Sequence, residues 1–525
     1  WTGRAGATGE SPTRNASNAT VNGYVRDKET GETLVGATVQ LEGRQMGTIT
    51  NKSGYYSLSD VPPGSYTIIY SFLGFKQKTL PIELKQRESR RIDVELEPEA
   101  FRMDEVVVEG DRLDDKRQIT VSRINIPIRQ ITELRIGGEA DIFRSLQYLP
   151  GVLSSSQISS GLYIRGGSPD QTLVLLDGST VYNPTHLFGF FSTFNPDAIK
   201  DVDLIKGGFP AEYGGRMTAV LDLVQKDGNR RKVGGTAYLG LISSRLSLDG
   251  PVGNGSWFFG ARRTYIDLLT NALETPEDPL PDYFFYDING KISQDFGPSD
   301  KLFLSGFTSE DELDFNNRAG FEGTIGISNR AISSRWTHLF GDNLFSVFNV
   351  SWSRYRNSFT ANNAGFQTEV ENIIQDFTMK GNLEWFVNTH WTVKSGFEAN
   401  HFVLNYLQNF TGNADSAIAE GTNDGGITNL EETDNTGSAF IQSNYEFSNL
   451  LSLQTGLRVN YYQMRDIFKL DPRIALRYQL DSDMALKAAF GVYHQYFRLA
   501  SVPDFSFFDT WLPTDSTVDP SRAIH

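Results

Sequence analysis

The sequence predicts a protein dominated by β-structure, its C-terminal half an antiparallel β-barrel that spans a membrane. Three observations carry this. From Gly234 onward, apolar and polar residues alternate over runs of about ten. Leu451, Leu453, Leu457, Val459 and Tyr461 interleave with Ser452, Gln454, Arg458 and Asn460. Trp391, Val393, Phe397 and Ala399 interleave with Thr392, Lys394, Glu398 and Asn400. Such a strand is apolar on one face and polar on the other. Second, no window approaches the ~18 apolar residues of a spanning helix, and only helices and closed barrels satisfy every backbone group in lipid. Third, the connections are asymmetric. Asn388-Thr389-His390 and Ser448-Asn449-Leu450 are short, whereas Leu407 to Asp434 is long and rich in Gly, Asn, Asp and Thr. Short turns at one mouth and long loops at the other are usual in such barrels.

Composition narrows the function. The chain has 525 residues, a formal charge of -16 and no cysteine. The acidic balance argues against sequence-independent nucleic-acid binding, which needs clustered Lys and Arg. Without cysteine there is neither a disulfide framework nor a thiolate metal site. The chain opens on Trp1 with no basic-then-apolar leader, so a secretory signal, if there was one, is expected to have been removed already. The six histidines are scattered, with no HExxH, GxSxG, GxGxxG or GxxxxGK[ST] motif. No catalytic residues, metal or cofactor are expected, and the chain does not read as an enzyme.

Taken in order, residues 1–19 are small and polar and read as a flexible arm. Residues 20–98 hold short strands, Val21–Arg26, Thr38–Leu41, Tyr55–Leu58, Tyr66–Tyr70 and Arg91–Leu96, punctuated by Thr30-Gly31, Ser53-Gly54 and Pro62-Pro63-Gly64. That spacing predicts a small β-sandwich. Residues 99–123 are a charged linker interrupted by Val106-Val107-Val108, an extended run with no sheet of its own. Such a run is suited to adding a strand to a partner's sheet edge. Residues 124–227 form a compact α+β unit. Ile142, Leu146 and Leu149 predict one helix, ended by Pro150-Gly151. Leu162–Arg165, Thr172–Leu176 and Asp201–Ile205 read as strands, with a tight turn at Asp177-Gly178. Residues 228–525 supply about twelve barrel strands. Aromatic clusters at Tyr283–Tyr286, Tyr461-Tyr462, Tyr493 and Tyr496-Phe497 read as interface girdles. Glu310-Asp311-Glu312 and Glu431-Glu432 read as solvated loops, and the residues from Asp504 to His525 as a loop.

Two strings extend this reading into a resemblance. GYVRDKETGETLVGATVQLEG with NKSGYYSLSDVPPGSYTI resembles the carboxypeptidase-regulatory-like domain, a transthyretin-like sandwich. The segment has no histidine, so it cannot build a carboxypeptidase zinc site. The stretch from Tyr163 to Leu223 closely resembles the plug of TonB-dependent outer-membrane receptors of Bacteroidetes type. A plug of about 100 residues needs a lumen of the ~22-strand class, so about the first half of the barrel is expected here.

The resemblance implies site residues. Asp104, Glu105, Val106, Val107 and Val108 match the TonB box. Arg165, Gly166 and Gly167, the turn at Asp177 and Gly178, Gly207 and Gly208, and Gly214, Gly215 and Arg216 match plug motifs. The family sets its plug arginines against barrel glutamates; Glu322, Glu369, Glu371, Glu398 and Glu446 lie on or near strands. Ser154, Ser155 and Ser156, with Tyr182, Asn183, Thr185, His186 and Phe188, are candidates for a ligand-facing plug surface, although His186 reads equally as a hydrogen-bonded loop histidine.

The implied function is TonB-driven active transport across a Gram-negative outer membrane, with sandwich and box on the periplasmic side. The expected partners are TonB, the lipid bilayer and a surface lipoprotein or other outer-membrane subunit, with no nucleic acid. Rival readings are a plugged barrel serving as a structural subunit without transport, and a soluble β-domain adhesin. The aliphatic run Val174-Leu175-Leu176 before Asp177-Gly178, where glycan importers carry a Tyr-Val-Ile type run, leans toward the smaller receptor class. Iron chelate, cobalamin, oligosaccharide and peptide cargo all stay open.

Overall fold

The computed structural model describes residues 18–44, 46–99, 118–128, 131, 135–136, 139–154, 161–273, 280–316, 321–363, 366–411, 427–481, 484–502, 505–514 and 518–525. Nearly all of the expected arm and the whole of the expected TonB box, 104–108, lie outside them.

The sandwich packs two four-stranded sheets. One holds Tyr55–Val61, Ala19–Asp27, Ser89–Arg91 and Val94–Leu96; the other holds Gly47–Ile49, Thr38–Leu41, Gly64–Ser71 and Lys78–Leu84. The expected strand Arg91–Leu96 is two strands, both parallel to Ala19–Asp27. Between the sheets lie Val21, Val25, Val39, Leu58, Ile68 and Leu84, all buried. Val and Ile suit this setting because branched side chains pack well on a pleated surface.

The next unit is a five-stranded mixed sheet in the order Ser179–Thr180, Thr172–Leu176, Ala219–Gln225, Ile199–Lys206 and Arg123–Pro127. Thr172–Leu176 runs parallel to Ala219–Gln225, and the other pairs are antiparallel. The helix Ile142–Leu146 packs its apolar side on this sheet, among Val174, Leu204 and Leu221. The Asp141 carboxylate caps it, accepting from the Arg144 backbone N–H at 2.9 Å.

Around this unit curves one 14-stranded sheet, from Gly234–Leu239 to Ser521–Ile524. Each strand pairs antiparallel with the next until Ala485–Gln495, which pairs with Ser521–Ile524. Between those two, a separate hairpin of Phe497–Val502 and Phe505–Pro513 pairs only with itself. The sheet's first and last strands are not paired with each other among the described residues. Strands reach 23 residues at Phe366–Asn388, well beyond the ~9–11 needed to cross a bilayer.

Several expectations change. Among the described residues the wall has fourteen strands rather than about twelve, because the short hairpin strands after Gly234 carry little alternation. The stretch from Asp504 onward, read as a loop, contains Phe505–Pro513 and Ser521–Ile524. Strand structure extends to Thr411 and resumes at Ile427, so the long connection is shorter than expected. Glu310-Asp311-Glu312 and Glu431-Glu432 sit within strands. The aromatic clusters are not girdles throughout. Tyr283, Phe285, Tyr462 and Tyr493 are buried, because strand parity turns them toward the lumen, and Tyr496, between two strands, is buried as well.

The outer face is an apolar band including Leu304, Ile332, Val350, Met379, Phe397 and Leu470. Towards the short-turn end Trp336, Phe340, Trp385, Phe447 and Tyr478 are exposed. No helix among the described residues is long and apolar enough to cross a membrane. The sandwich rests on the short-turn end. The hydroxyls of Tyr55 and Ser57 donate to the Asp342 carbonyl at 2.9 and 3.0 Å, and the Tyr55 ring stacks on Phe345.

Candidate functional site

The candidate site is the surface where the inner unit meets the barrel wall. Its geometry begins with the Asp177-Gly178 turn. Leu176 pairs with Ser179, so the loop has two residues, and Asp177 and Gly178 both take positive φ, 48° and 87°. That is the twist a tight hairpin needs. The turn points at the wall. The Asp177 carbonyl accepts from Ser333 at 3.0 Å, and its carboxylate accepts from Lys291 at 3.2 Å. Lys291 is fully buried and also pairs with Asp227 at 2.9 Å.

A second anchor is His186. Its Nδ1 lies 2.8 Å from Asp311 and its Nε2 3.2 Å from Asp287, all three buried. Its ring stacks on Phe285 at 3.6 Å. Arg262 bonds Asp287 and donates to the Ser192 carbonyl, both at 2.6 Å. Burial opposes the imidazolium, but Asp311 and Asp287 outweigh it and push the His186 pKa up to about 9. The two wall carboxylates thus favour the protonated ring, and the Arg262 guanidinium also lies 3.1 Å from Nε2.

The third anchor lies at Phe209–Gly215. Arg473 donates to the carbonyls of Phe209 at 3.2 Å, Pro210, and Tyr213 at 2.7 Å. Arg458 reaches the Ala211 carbonyl at 3.4 Å and pairs with Glu398 at 2.8 Å. Gly214 leaves room for this arginine: a Cβ on it would lie 2.3 Å from the Arg458 Nε and push that side chain aside.

The expected latch of plug arginines on wall glutamates takes another form. Arg165 donates to the Ser122 hydroxyl. Arg216 is buried, and its guanidinium lies over the rings of Tyr182 and Trp511 at 5.8 and 5.1 Å. Neither forms an ion pair among the described residues. Glu398 is neutralised by Arg458 and Lys380, both on the wall. The cations of the interface sit mainly on the wall and reach carbonyls and carboxylates of the inner unit. Gly166 and Gly167 complete the Arg165 turn, and Gly207 and Gly208 end the strand Ile199–Lys206, both with positive φ.

The loop expected to face ligand is wedged against the wall. Tyr182 donates to Asp376 at 2.9 Å, and the Asn183 carbonyl accepts from Asn329 at 2.7 Å. Thr185 bonds Asn183, and Phe188 lies in the short turn Leu187–Gly189. Ser154 is half-buried, while Ser155 and Ser156 lie outside the described residues. A narrow cavity of about 60 Å³ remains, bounded by Tyr182, Arg216, Asp376, Asn400, Tyr496 and Phe497.

The sequence reading missed Asp287, Asp311, Lys291, Arg262 and Arg473. Strand parity could have found them. Asp311 shares its face with Phe303 and Phe307, both buried, whereas Glu310 and Glu312 face outward.

Comparison with known proteins follows this layout. Residues 21–108 match the model of the CarboxypepD_reg-like domain, 115–220 the TonB-dependent receptor plug domain, and 275–520 the TonB-dependent receptor-like β-barrel. The TonB-dependent transporter Oar of Myxococcus xanthus is 28% identical over 41% of the chain and 21% of its own length. The TonB-dependent receptor SusC of Bacteroides thetaiotaomicron is 28% identical over 43% of the chain and 23% of its own length. The chain thus matches less than a quarter of either relative. Among solved structures, a ferric enterobactin receptor mutant from Pseudomonas aeruginosa superposes with a TM-score of 0.57 at 17% identity, covering 79% of this chain and 69% of that one. The outer membrane transporter YddB of Escherichia coli gives 0.56 at 14% identity, covering 71% and 61%. At such identities these structures speak to the fold alone.

Proposed function

We propose, from the premise that the chain belongs to the TonB-dependent receptor family, that it imports a ligand actively across the outer membrane. The observation that carries this is a separately folded plug held inside a barrel wall by buried polar contacts. The wall's apolar outer band fits a bilayer, as in the family's outer-membrane barrels. The sandwich and the 104–108 box lie on the periplasmic side, where short barrel turns are usual. Ligand enters from the opposite mouth and meets the cavity between Tyr182, Arg216 and the hairpin residue Phe497. TonB takes the box as an added strand, main-chain hydrogen bonds supplying the affinity. Force through the linker then shifts the plug from the wall, and no chemistry on the ligand is required. A surface lipoprotein partner fits the likeness to SusC.

The test is deletion of 104–108 in cells, read as uptake of radiolabelled candidate cargo. Transport is expected to stop while the protein still reaches the outer membrane in normal amount. Unchanged uptake would sink the transport reading and leave a structural subunit.

A further inference from the structure

We propose that the N-terminal sandwich is a clamp that ties plug to wall at the short-turn mouth, and that it must leave the mouth before the plug can. The inference rests on the transport reading and assigns the sandwich a part in it. The sandwich holds both bodies at once. Toward the plug and its exit into the wall, the Glu32 carboxylate accepts from the backbone N–H groups of Asp227 and Gly228 at 2.5 and 2.9 Å. The Thr30 carbonyl accepts from the Arg230 N–H at 2.7 Å, and Lys52 pairs with Asp222. Toward the wall, the sandwich bonds at or beside three successive short turns. Arg26 pairs with Asp295 at 3.5 Å, Ser57 donates to the Asp342 carbonyl, and Asn51 donates to Glu384 at 3.1 Å.

The wall is shaped to receive it. Farther from the mouth its inward rows are polar, with Thr337, Asn349 and Thr378 buried. At the mouth the same rows end in Leu339, Phe345 and Phe386. These three form one buried cluster with Tyr24 and Tyr55 of the sandwich. Tyr55 stacks on Phe345 at 5.3 Å and meets Phe386 edge-on at 6.1 Å. An apolar rim facing into a lumen is unfavourable in water, so it calls for a resident cover. A sandwich that merely hung from its linker would need neither that rim nor bonds to both bodies. Chain order supplies the release. The last sandwich strand, Val94–Leu96, pairs with Val25–Asp27, next to Tyr24. The 104–108 segment follows that strand and precedes Arg123–Pro127. One pull at 104–108 therefore loads the sandwich beside its docked residues as well as the plug.

The test places the full-length protein in a supported bilayer and pulls it through 104–108 with a TonB C-terminal domain on a cantilever. The length of chain released shows whether the plug has left. Because the sequence has no cysteine, Ser57→Cys with Asp342→Cys creates one disulfide between sandwich and turn. The Ser57 hydroxyl already lies 3.0 Å from the Asp342 carbonyl oxygen. Oxidised protein is expected to lose the plug-release event and to regain it on reduction, with each single-cysteine variant as reference. Phe345→Ala with Phe386→Ala, which empties the rim, is expected to release the plug at lower force than the wild type. Plug release from the oxidised protein at the wild-type force overturns the clamp, as does an unchanged force in a rim variant that reaches the outer membrane. If the rim variant fails to insert, the disulfide alone decides. A TonB domain that never engages the wild type overturns the transport reading itself, whereas engaged pulls that ignore the disulfide overturn only the clamp.

Discussion

The sandwich interior and the plug–wall interface are both buried, yet they are made of opposite materials. Between the sandwich sheets lie Val21, Val39, Leu58 and Ile68, with few polar atoms beyond the Tyr56–Tyr70 hydroxyl pair at 2.8 Å. Between plug and wall lie Lys291 with Asp177 and Asp227, and His186 with Asp287 and Asp311. Apolar burial is non-directional and stabilises in proportion to area. A buried charge pair gains little net stability, because desolvation offsets the attraction, but it tolerates only one arrangement. The sandwich is thus held by apolar area, and the plug by contacts that specify one register.

The strongest way to break this contrast is to remove one buried charge. Lys291→Ala leaves Asp177 and Asp227 without their wall cation and should cost about 3–5 kcal/mol of plug retention, measured as the urea concentration at which plug loops become cleavable by protease. Lys291→Met with Asp177→Asn should restore part of it, Asp227 keeping its pairing with Lys200. If the single variant is silent, the interface is not held by charge. Next in size, Leu58→Ala should cost about 2–4 kcal/mol, confined to the sandwich. Hydrogen exchange should rise there and not at the plug.

A third prediction uses pH. The His186 pKa is raised in the folded state, so its contribution is complete below about 6.5 and is lost as pH rises through about 9. Plug protection should fall between pH 8 and 10 in the wild type and be flat in His186→Gln. The smallest effect is expected at Lys52, which joins the sandwich to Asp222 of the plug and is about a third exposed. Lys52→Ala should loosen sandwich docking by about 1 kcal/mol or less, read as a faster cleavage rate near the sandwich–plug junction.

What the sequence disclosed follows the same division. Thr38–Leu41 and Thr172–Leu176 were legible to the residue, because local pattern and turn chemistry agree there. The Asp177-Gly178 turn was legible because the backbone alone demands it. The wall's charges were not. Glu310-Asp311-Glu312 looks like a solvated run until the strand is continued through it, after which period two sends Asp311 inward to His186 and its neighbours outward. The direction of the latch was hidden as well, since no local signal reveals that Arg473 and Arg458 will meet plug carbonyls. The short strands Gly47–Ile49 and Ser521–Ile524 escaped because their pairing partners, not their own residues, define them.

One modest element carries a mechanical consequence. Among the described residues, Arg123–Pro127 is the outermost strand of the plug sheet and has a single neighbour, Ile199–Lys206. It is also the first described plug strand along the chain, so tension applied ahead of residue 118 would load it before the other described plug strands. Its departure would take Arg123 from Asp203 and Asn125 from Asp201. Asp203 would then face Asp222 across the sheet with one cation fewer between them. Under such a load the strand would act like a fuse: a small rupture at one edge would leave Asp203 without Arg123 beside an Asp222 that keeps only Lys52.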